Sequence, residues 1–324
     1  MTLPLPTAAY VAWSSANLSK PDFTAPAGTT DAVVKLSIKA IDNARTADTL
    51  GAEREGTGIV IGDDGLILTI GYLIIEASSI LAVTADGRVY PATPVGFDHA
   101  TGFGLVRADR RIAARPLPLG ESARLHDGQP LGVITFASGG GESAAHLVST
   151  RRFTGYWEYM IDGALFTAPP RFGHSGAALV TLDGELVGVG SLWVADALDV
   201  DVAFPGNMFA PIDLLKPIMA ELLEMGRRRS ASRPWLGVYT EQVRGHVVVT
   251  RVLSDSPAEV AGLKRGDILL GVAGEVIVNQ AEFYERLWRA GAAGIEVQLH
   301  LMRSNAVRSI KVPSIDRIDY FRGR

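Results

Sequence analysis

Short apolar runs separated by turn residues dominate residues 31–191. The turns carry Asp-Gly pairs or glycine runs, at 63–65, 86–87, 139–141 and 183–184. Apolar runs bounded in this way predict β-strands, and their even spacing favours an all-β domain over alternating βαβ units. The spacing alone leaves a β-sandwich and a β-barrel open. The predicted strands lie at 31–40, 58–61, 66–69, 81–84, 89–95, 103–106, 130–134, 145–150, 164–167, 177–181 and 186–191.

The pattern changes to helical spacing at residues 211–226, where apolar residues recur every three or four positions. Gly226 is a predicted C-cap, and the arginines at 227–229 follow the helix end, where cations are favoured. Three basic residues in an acidic chain are too small a footprint for nucleic acid, so we interpret them as part of a solvated linker.

A smaller domain is predicted after Pro234. Strand patterns at 246–252, 296–303 and 307–312 surround an amphipathic stretch that begins at Asn279, a residue type that caps helix N-termini. These residues therefore predict a compact α+β unit.

The candidate chemistry of the chain centres on a serine flanked by glycines, in Gly173-His174-Ser175-Gly176. Glycines beside a reactive serine let the backbone turn tightly and direct N–H groups into one concavity, which can hold a developing oxyanion. The same pattern also fits an ordinary tight turn into a strand. The segments on either side of the serine therefore decide the interpretation.

Two Asp-Gly hairpins, at 56–69 and 182–190, surround this serine in the sequence. Together with the serine segment they resemble the HtrA (DegP-like) family of trypsin-fold serine proteases, over about residues 31–313. The resemblance implies two six-stranded β-barrels with a cleft between them. It places the nucleophile at Ser175 and the oxyanion-hole donors at the N–H groups of Gly173 and Ser175.

Two of the three catalytic positions depart from the family pattern. The family histidine follows the first hairpin, where this chain has Thr69-Ile70-Gly71-Tyr72, and the family aspartate lies where this chain has Thr101-Gly102. A phenol has a pKa near 10 and is no base at pH 7, and glycine has no side chain to orient one. Since loss of base and orienter lowers turnover by about 10⁶, Tyr72 and Gly102 predict a pseudoprotease that keeps only Ser175.

An active enzyme is the alternative interpretation. His99, next to Asp98 and three residues before Gly102, is the candidate for a displaced base in a serine endopeptidase that uses Ser175. His174 adjoins the serine, but neighbouring side chains in extended or turn backbone point apart.

The segment Trp235-Leu236-Gly237-Val238, followed by Ser-Pro-Ala-Glu-Val-Ala-Gly-Leu at 256–263, resembles the start of a bacterial PDZ domain. The resemblance implies that the N–H groups at 235–238 receive the terminal carboxylate of a peptide, which adds as a strand beside the helix at 280–289. Polypeptide C-termini are thus the expected partners. A PDZ domain that only packs on its neighbour is the alternative.

The N-terminal residues 1–30 predict an extended arm, rich in Pro, Ala, Ser and Thr. In the family this segment packs protease domains into a homotrimer. Tyr10, Trp13 and Phe23 are candidates for that contact, or for packing on their own domain.

The bulk composition is that of an ordinary globular chain. It has 324 residues, no cysteine and a net charge of −4, which give no reason to expect a metal, a cofactor, nucleic acid or an anionic membrane. The sequence shows no membrane span and no leader pattern, which predicts a cytoplasmic location, whereas the resemblance implies a periplasmic one.

The expected fold is all-β with minor α, a trypsin-like double six-stranded β-barrel followed by an α+β PDZ domain. The predicted divisions are an arm (1–30), a protease-fold domain (31–209), a helix and linker (210–233), a PDZ domain (234–315) and a tail (316–324).

Overall fold

The chain folds into two closed β-barrels followed by a smaller sheet domain. A computed structural model describes residues 23–136, 141–199 and 203–322. Each barrel has six antiparallel strands, and the third sheet is also antiparallel. The mostly β architecture with a minor helical part confirms the predicted fold class, and the closure of both sheets decides in favour of barrels.

The first barrel has the strand order β1-β2-β3-β6-β5-β4. All five residues of β3 are buried, because one face fills the barrel and the other lies toward β11 of the second barrel. A short 3₁₀ turn, Gly71–Leu73, continues β3 and carries Tyr72. The strands are β1 (Val33–Ala40), β2 (Glu53–Val60), β3 (Leu66–Ile70), β4 (Ala77–Val83), β5 (Val89–Phe97) and β6 (Phe103–Ala108).

The second barrel has the strand order β10-β11-β12-β9-β8-β7. Its longest strands, β8 and β9, form a hairpin whose register continues to the pair Gly155 and Tyr159. The tip of this hairpin, Tyr156–Glu158, therefore lies beyond the barrel wall. The strands are β7 (Pro130–Thr135), β8 (Gly141–Gly155), β9 (Tyr159–Ala168), β10 (Ala178–Val180), β11 (Leu186–Val194) and β12 (Gly206–Pro211).

The helix predicted at 211–226 is shorter in the structure. A 3₁₀ turn forms at Ile212–Leu214, and the α-helix begins only at Met219 and ends at Met225. Pro217 lies between the two pieces, and proline supplies no backbone N–H to an α-helix and clashes with the preceding turn. Gly226 forms the predicted C-cap, with φ +71° and its N–H donating to Leu222 O.

The third sheet has the order β13-β14-β15-β17-β18, with β16 paired to β15, so β13 is an edge strand. The predicted helix caps as expected, because Asn279 Oδ1 accepts from the N–H of Glu282 at 2.8 Å. The strands are β13 (Val238–Val243), β14 (His246–Val252), β15 (Ile268–Val272), β16 (Glu275–Val276), β17 (Glu296–Arg303) and β18 (Ala306–Pro313). The α-helices within the described residues are α1 (Ala47–Leu50), α2 (Met219–Met225), α3 (Pro257–Val260), α4 (Gln280–Arg289) and α5 (Arg317–Arg322).

The C-terminal residues form a helix where the sequence predicted a tail. Helix α5 packs against both domains, because Tyr320 contacts the ring of Trp235 at 4.7 Å between centroids and Phe321 lies 5.9 Å from the ring of His99. At the other end of the chain, Phe23 packs closely over Gly132 of the second barrel. Tyr10 and Trp13 lie outside the described residues. No helix in the described ranges is long and apolar enough to cross a membrane.

Candidate functional site

The loop that carries Ser175 is held between the two barrels. The N–H of Thr57 on β2 donates to the carbonyl oxygen of Ser175 at 2.8 Å. Gly176 has φ +78°, and a Cβ there would lie 2.0 Å from Thr57 O. Only glycine fits this approach, so the sequence Ser175-Gly176 fixes the serine at the junction of the barrels.

Two hydroxyl groups and a carbonyl form a chain at this junction. The phenol oxygen of Tyr72 lies 2.7 Å from Ser175 Oγ and 2.8 Å from Ser191 O. A phenol has one proton and a carbonyl oxygen can only accept, so both contacts are satisfied when Tyr72 donates to Ser191 and Ser175 donates to Tyr72. The group that accepts the hydrogen bond of the serine hydroxyl is therefore another hydroxyl.

Tyr72 is a very poor base for removing the proton of the Ser175 hydroxyl. Burial raises the pKa of Tyr72 to about 12, although the hydrogen bond from Ser175 opposes this rise. At pH 7 only about one molecule in 10⁵ carries the phenolate. Tyr72 thus holds the serine hydroxyl in place without being able to activate it.

Gly102, at the position predicted for the family aspartate, faces an occupied space. Its φ is +84°, and a Cβ at this position would lie 2.8 Å from the phenol oxygen of Tyr159. The Tyr159 hydroxyl donates to Thr101 O at 2.9 Å and comes from the start of β9 in the second barrel. The sequence change at 102 is therefore matched by an aromatic side chain that excludes a carboxylate.

His99 is not brought into hydrogen-bond contact with Ser175. Its ring lies against Phe97, with centroids 4.4 Å apart, and its buried Nε2 has no hydrogen-bond partner. Burial, and then the charge of Arg317, lower the pKa of His99 well below its ordinary value. Asp98 does not orient the ring, since its carboxylate accepts from Thr101 and Arg228.

The positions singled out in the sequence nevertheless share one small cavity. Tyr72, Gly102 and His99 all line a space of about 60 Å³ that Ser191 and Tyr159 also border. His174 lies apart from it, with Nδ1 at 3.3 Å from Arg171 O. The side chain that contacts Ser175 Oγ in the described residues is Tyr72.

The predicted oxyanion-hole donors belong to the same loop. Gly173 has φ +71°, which turns the backbone just before Ser175. Within the described ranges, the N–H groups of Gly173 and Ser175 donate to no protein acceptor. The loop therefore keeps two unpaired donors beside an unactivated hydroxyl.

The carboxylate-binding loop predicted at 235–238 holds a carboxylate of the same chain through three of its four N–H groups. The prediction was wrong for Trp235, whose N–H donates to Ile315 O at 3.1 Å. Glu158 Oε1 accepts from the N–H groups of Gly237 and Val238, at 2.7 and 2.9 Å, and Oε2 accepts from the N–H of Leu236 at 3.0 Å. Glu158 lies at the tip of the β8–β9 hairpin and is only 5% exposed. Burial raises the pKa of Glu158 to about 6, against the opposing effect of these donors and of Arg317.

Sequence reasoning missed Glu158 and the helix that carries Arg317. The tip Tyr156-Trp157-Glu158 contains no turn signature and no motif, and Glu158 and Trp235 are 77 positions apart in the sequence. Only the aromatic pair Tyr156-Trp157 before the carboxylate could have suggested a contact surface. The described residues contain no cluster of three or more potential metal-ligating side chains.

The fold and the site define a trypsin-like domain joined to a PDZ domain, and comparison with known proteins agrees. The family model described as a trypsin-like peptidase domain matches residues 56–189, and the model of a PDZ domain matches residues 234–313. The chain is an HtrA/DegP-like protein.

Individual relatives are distant. Serine protease HTRA1 of Xenopus laevis is 26% identical over 77% of this chain and 57% of its own length. A probable periplasmic serine endoprotease, DegP-like, of a Marinomonas species is 32% identical over 70% of this chain and 50% of its own. The solved structure of HtrA-type protease AlgW with decapeptide has a TM-score of 0.53 at 20% identity and covers 89% of this chain and 96% of that one. The chain thus spans little more than half of these curated relatives, and the structural likeness concerns the fold.

Proposed function

We propose that this chain is an HtrA-like pseudoprotease, which binds polypeptides through its PDZ domain and regulates or scaffolds an active relative. The observation that carries the proposal is the hydroxyl chain from Ser175 to Tyr72 to Ser191 O. A serine becomes nucleophilic when a base removes its proton, and here the neighbour is a phenol with a pKa of about 12.

Loss of the base has a large energetic cost, which favours the pseudoprotease over an active endopeptidase. Removal of the base and its orienter from a serine triad raises the barrier by about 8 kcal/mol, a factor of about 10⁶ in turnover. The unpaired N–H groups of Gly173 and Ser175 retain at most the oxyanion-hole contribution, about 10³–10⁴ over water. This remainder is compatible with binding a carbonyl or a carboxylate but is too small for a protease.

A covalent serine probe tests the proposal directly. We expect no labelling of Ser175 by a fluorophosphonate and no cleavage of casein, in the native chain and in Ser175→Ala alike. Tyr72→Phe is the matched variant, because it removes the phenol oxygen and frees the serine hydroxyl while adding no base, so it too should be inactive.

The contrary result is equally clear. Casein cleavage that disappears in Ser175→Ala would show a serine endopeptidase with a displaced base. That result alone overturns the pseudoprotease proposal, and loss of the cleavage in His99→Gln as well would identify His99 as the base.

A further inference from the structure

The tip of the β8–β9 hairpin occupies the groove in which a PDZ ligand would bind. We propose that Glu158 is an internal ligand of the PDZ domain and keeps this groove closed, so that an outside polypeptide with a free C-terminal carboxylate must displace the hairpin to bind. The second half rests on the peptide-binding function proposed above. The first half, the internal ligand, stands on contacts within the chain.

The carboxylate itself is the first argument. Three consecutive N–H groups, of Leu236, Gly237 and Val238, all donate to Glu158 at 3.0 Å or less. These are the donors that the terminal carboxylate of a peptide requires. Two carboxylates cannot use them at the same time, so binding of one excludes the other.

The main chain of the hairpin supplies the second argument. The N–H of Thr240, on the edge strand β13, donates to Tyr156 O at 2.8 Å. On the opposite wall, the hydroxyl of Tyr284 on α4 donates to Gly155 O at 2.9 Å and accepts from the N–H of Glu158 at 3.1 Å. The tip thus forms hydrogen bonds with both walls of the groove, as an added strand would.

The conformation of Glu158 is the third argument. It has φ +55°, in the left-handed region that a residue with a side chain seldom adopts. Such strain persists when surrounding contacts impose it, and here the contacts are those to the PDZ loop. Arg317 of α5 adds a favourable charge and donates to Trp157 O at 3.3 Å.

Displacement would also reach the Ser175 junction. Tyr159 follows Glu158 directly, and its hydroxyl fills the space beside Gly102. Its ring stacks on that of Trp157, with centroids 5.5 Å apart and planes within 8°. A ligand that displaces Glu158 should therefore also shift Tyr159, which packs beside Gly102. This contact links the PDZ groove to the barrel junction.

Two measurements on the full chain test the internal ligand. The first is amide hydrogen exchange at 236–238, which should be at least about tenfold faster in Glu158→Ala than in the native chain, because the acceptor is lost. The second is the affinity of fluorescein-labelled decapeptides that end in a free Val, Leu or Phe. Their affinity should rise at least about tenfold in Glu158→Ala, because the competing occupant is gone, whereas amidated copies should not change.

Two further variants keep the test interpretable. Glu285→Gln is the matched control, because it breaks an exposed ion pair between Arg152 of the hairpin and α4 but leaves the loop at 236–238 untouched. It should stay within about twofold of the native chain in both measurements. Glu158→Gly also removes the acceptor and suits the positive φ at this position, and it replaces Glu158→Ala if circular dichroism shows that the latter is unfolded.

The outcomes separate the two proposals. Unchanged exchange and unchanged peptide affinity in the Glu158 variants overturn the internal ligand, and tight binding of carboxylated peptides by all variants would then still support the peptide-binding function. Faster exchange without binding of any peptide supports the internal ligand and overturns the peptide-binding function.

Discussion

The protonation of Glu158 should make docking of the hairpin stronger in mild acid. Burial raises the pKa of Glu158 from its ordinary value of 4.5 to about 6 when the hairpin is docked. A raised pKa means that the docked state holds the proton more tightly than the undocked state. The gain in docking is therefore complete below pH 4.5 and disappears as the pH rises through about 6, and its full size is about 2 kcal/mol.

The expected effect between pH 7 and pH 5 follows from these two pKa values. The docking equilibrium constant should increase about eightfold on acidification, because Glu158 is mostly protonated at pH 5 only in the docked state. The assay is hydrogen exchange of the amides at 236–238, expressed as protection relative to the intrinsic exchange rate at each pH. Amides of β17, away from the hairpin, give the internal reference.

Other charged groups around Glu158 require a control. Burial raises the pKa of Tyr284 and lowers the pKa of His99 well below its ordinary value, so burial favours the neutral form of both side chains. The charged residues Asp98, Arg228, Asp316 and Arg317 line a separate cavity of about 130 Å³ together with Glu158. Glu158→Gln retains all of these groups, so its protection should not change with pH. Equal pH dependence in both proteins, or a fall in protection of the native chain at pH 5, would refute the reasoning.

Two further predictions concern glycines that face occupied space, and each is compared with a glycine of similar φ that faces none. Gly102→Ala should lower the free energy of urea unfolding by about 2 kcal/mol more than Gly87→Ala. Gly87 is the control because its φ is +81° and an added Cβ would have no atom within 4 Å. Tyr159→Phe, added to Gly102→Ala, should recover part of the difference. Equal losses for the two alanines would mean that Tyr159 does not exclude a side chain at 102. In the PDZ domain, Gly237→Ala, whose Cβ would meet another side chain at 2.3 Å, should lower the melting temperature more than Gly262→Ala, whose Cβ meets nothing. A larger loss at 262 would contradict the packing described around the carboxylate-binding loop.

Much of the fold could be predicted because its signals are local. Apolar runs and Asp-Gly turns located most strands, and the cap at Asn279 located α4. The helix at 211–226 was predicted too long because apolar periodicity outweighed Pro217, which interrupts it. Helix α5 was predicted as a tail, since its stability comes from packing on Trp235 and not from a pattern of its own.

The candidate site also has features that the sequence could predict and features that only the structure showed. The sequence by itself determined that Ser175 is flanked by glycines. It also predicted that Tyr72 and Gly102 stand at the other two triad positions, and that the N–H groups at 235–238 bind a carboxylate. These properties depend on residue type at a given place in the chain. Only the tertiary structure decided that Tyr72 accepts the hydrogen bond of Ser175, that Tyr159 fills the space beside Gly102, and that Glu158 occupies the carboxylate-binding loop. Each of these is a contact between residues distant in sequence, and such contacts exist only once the barrels close and bring the second barrel's hairpin against the PDZ domain.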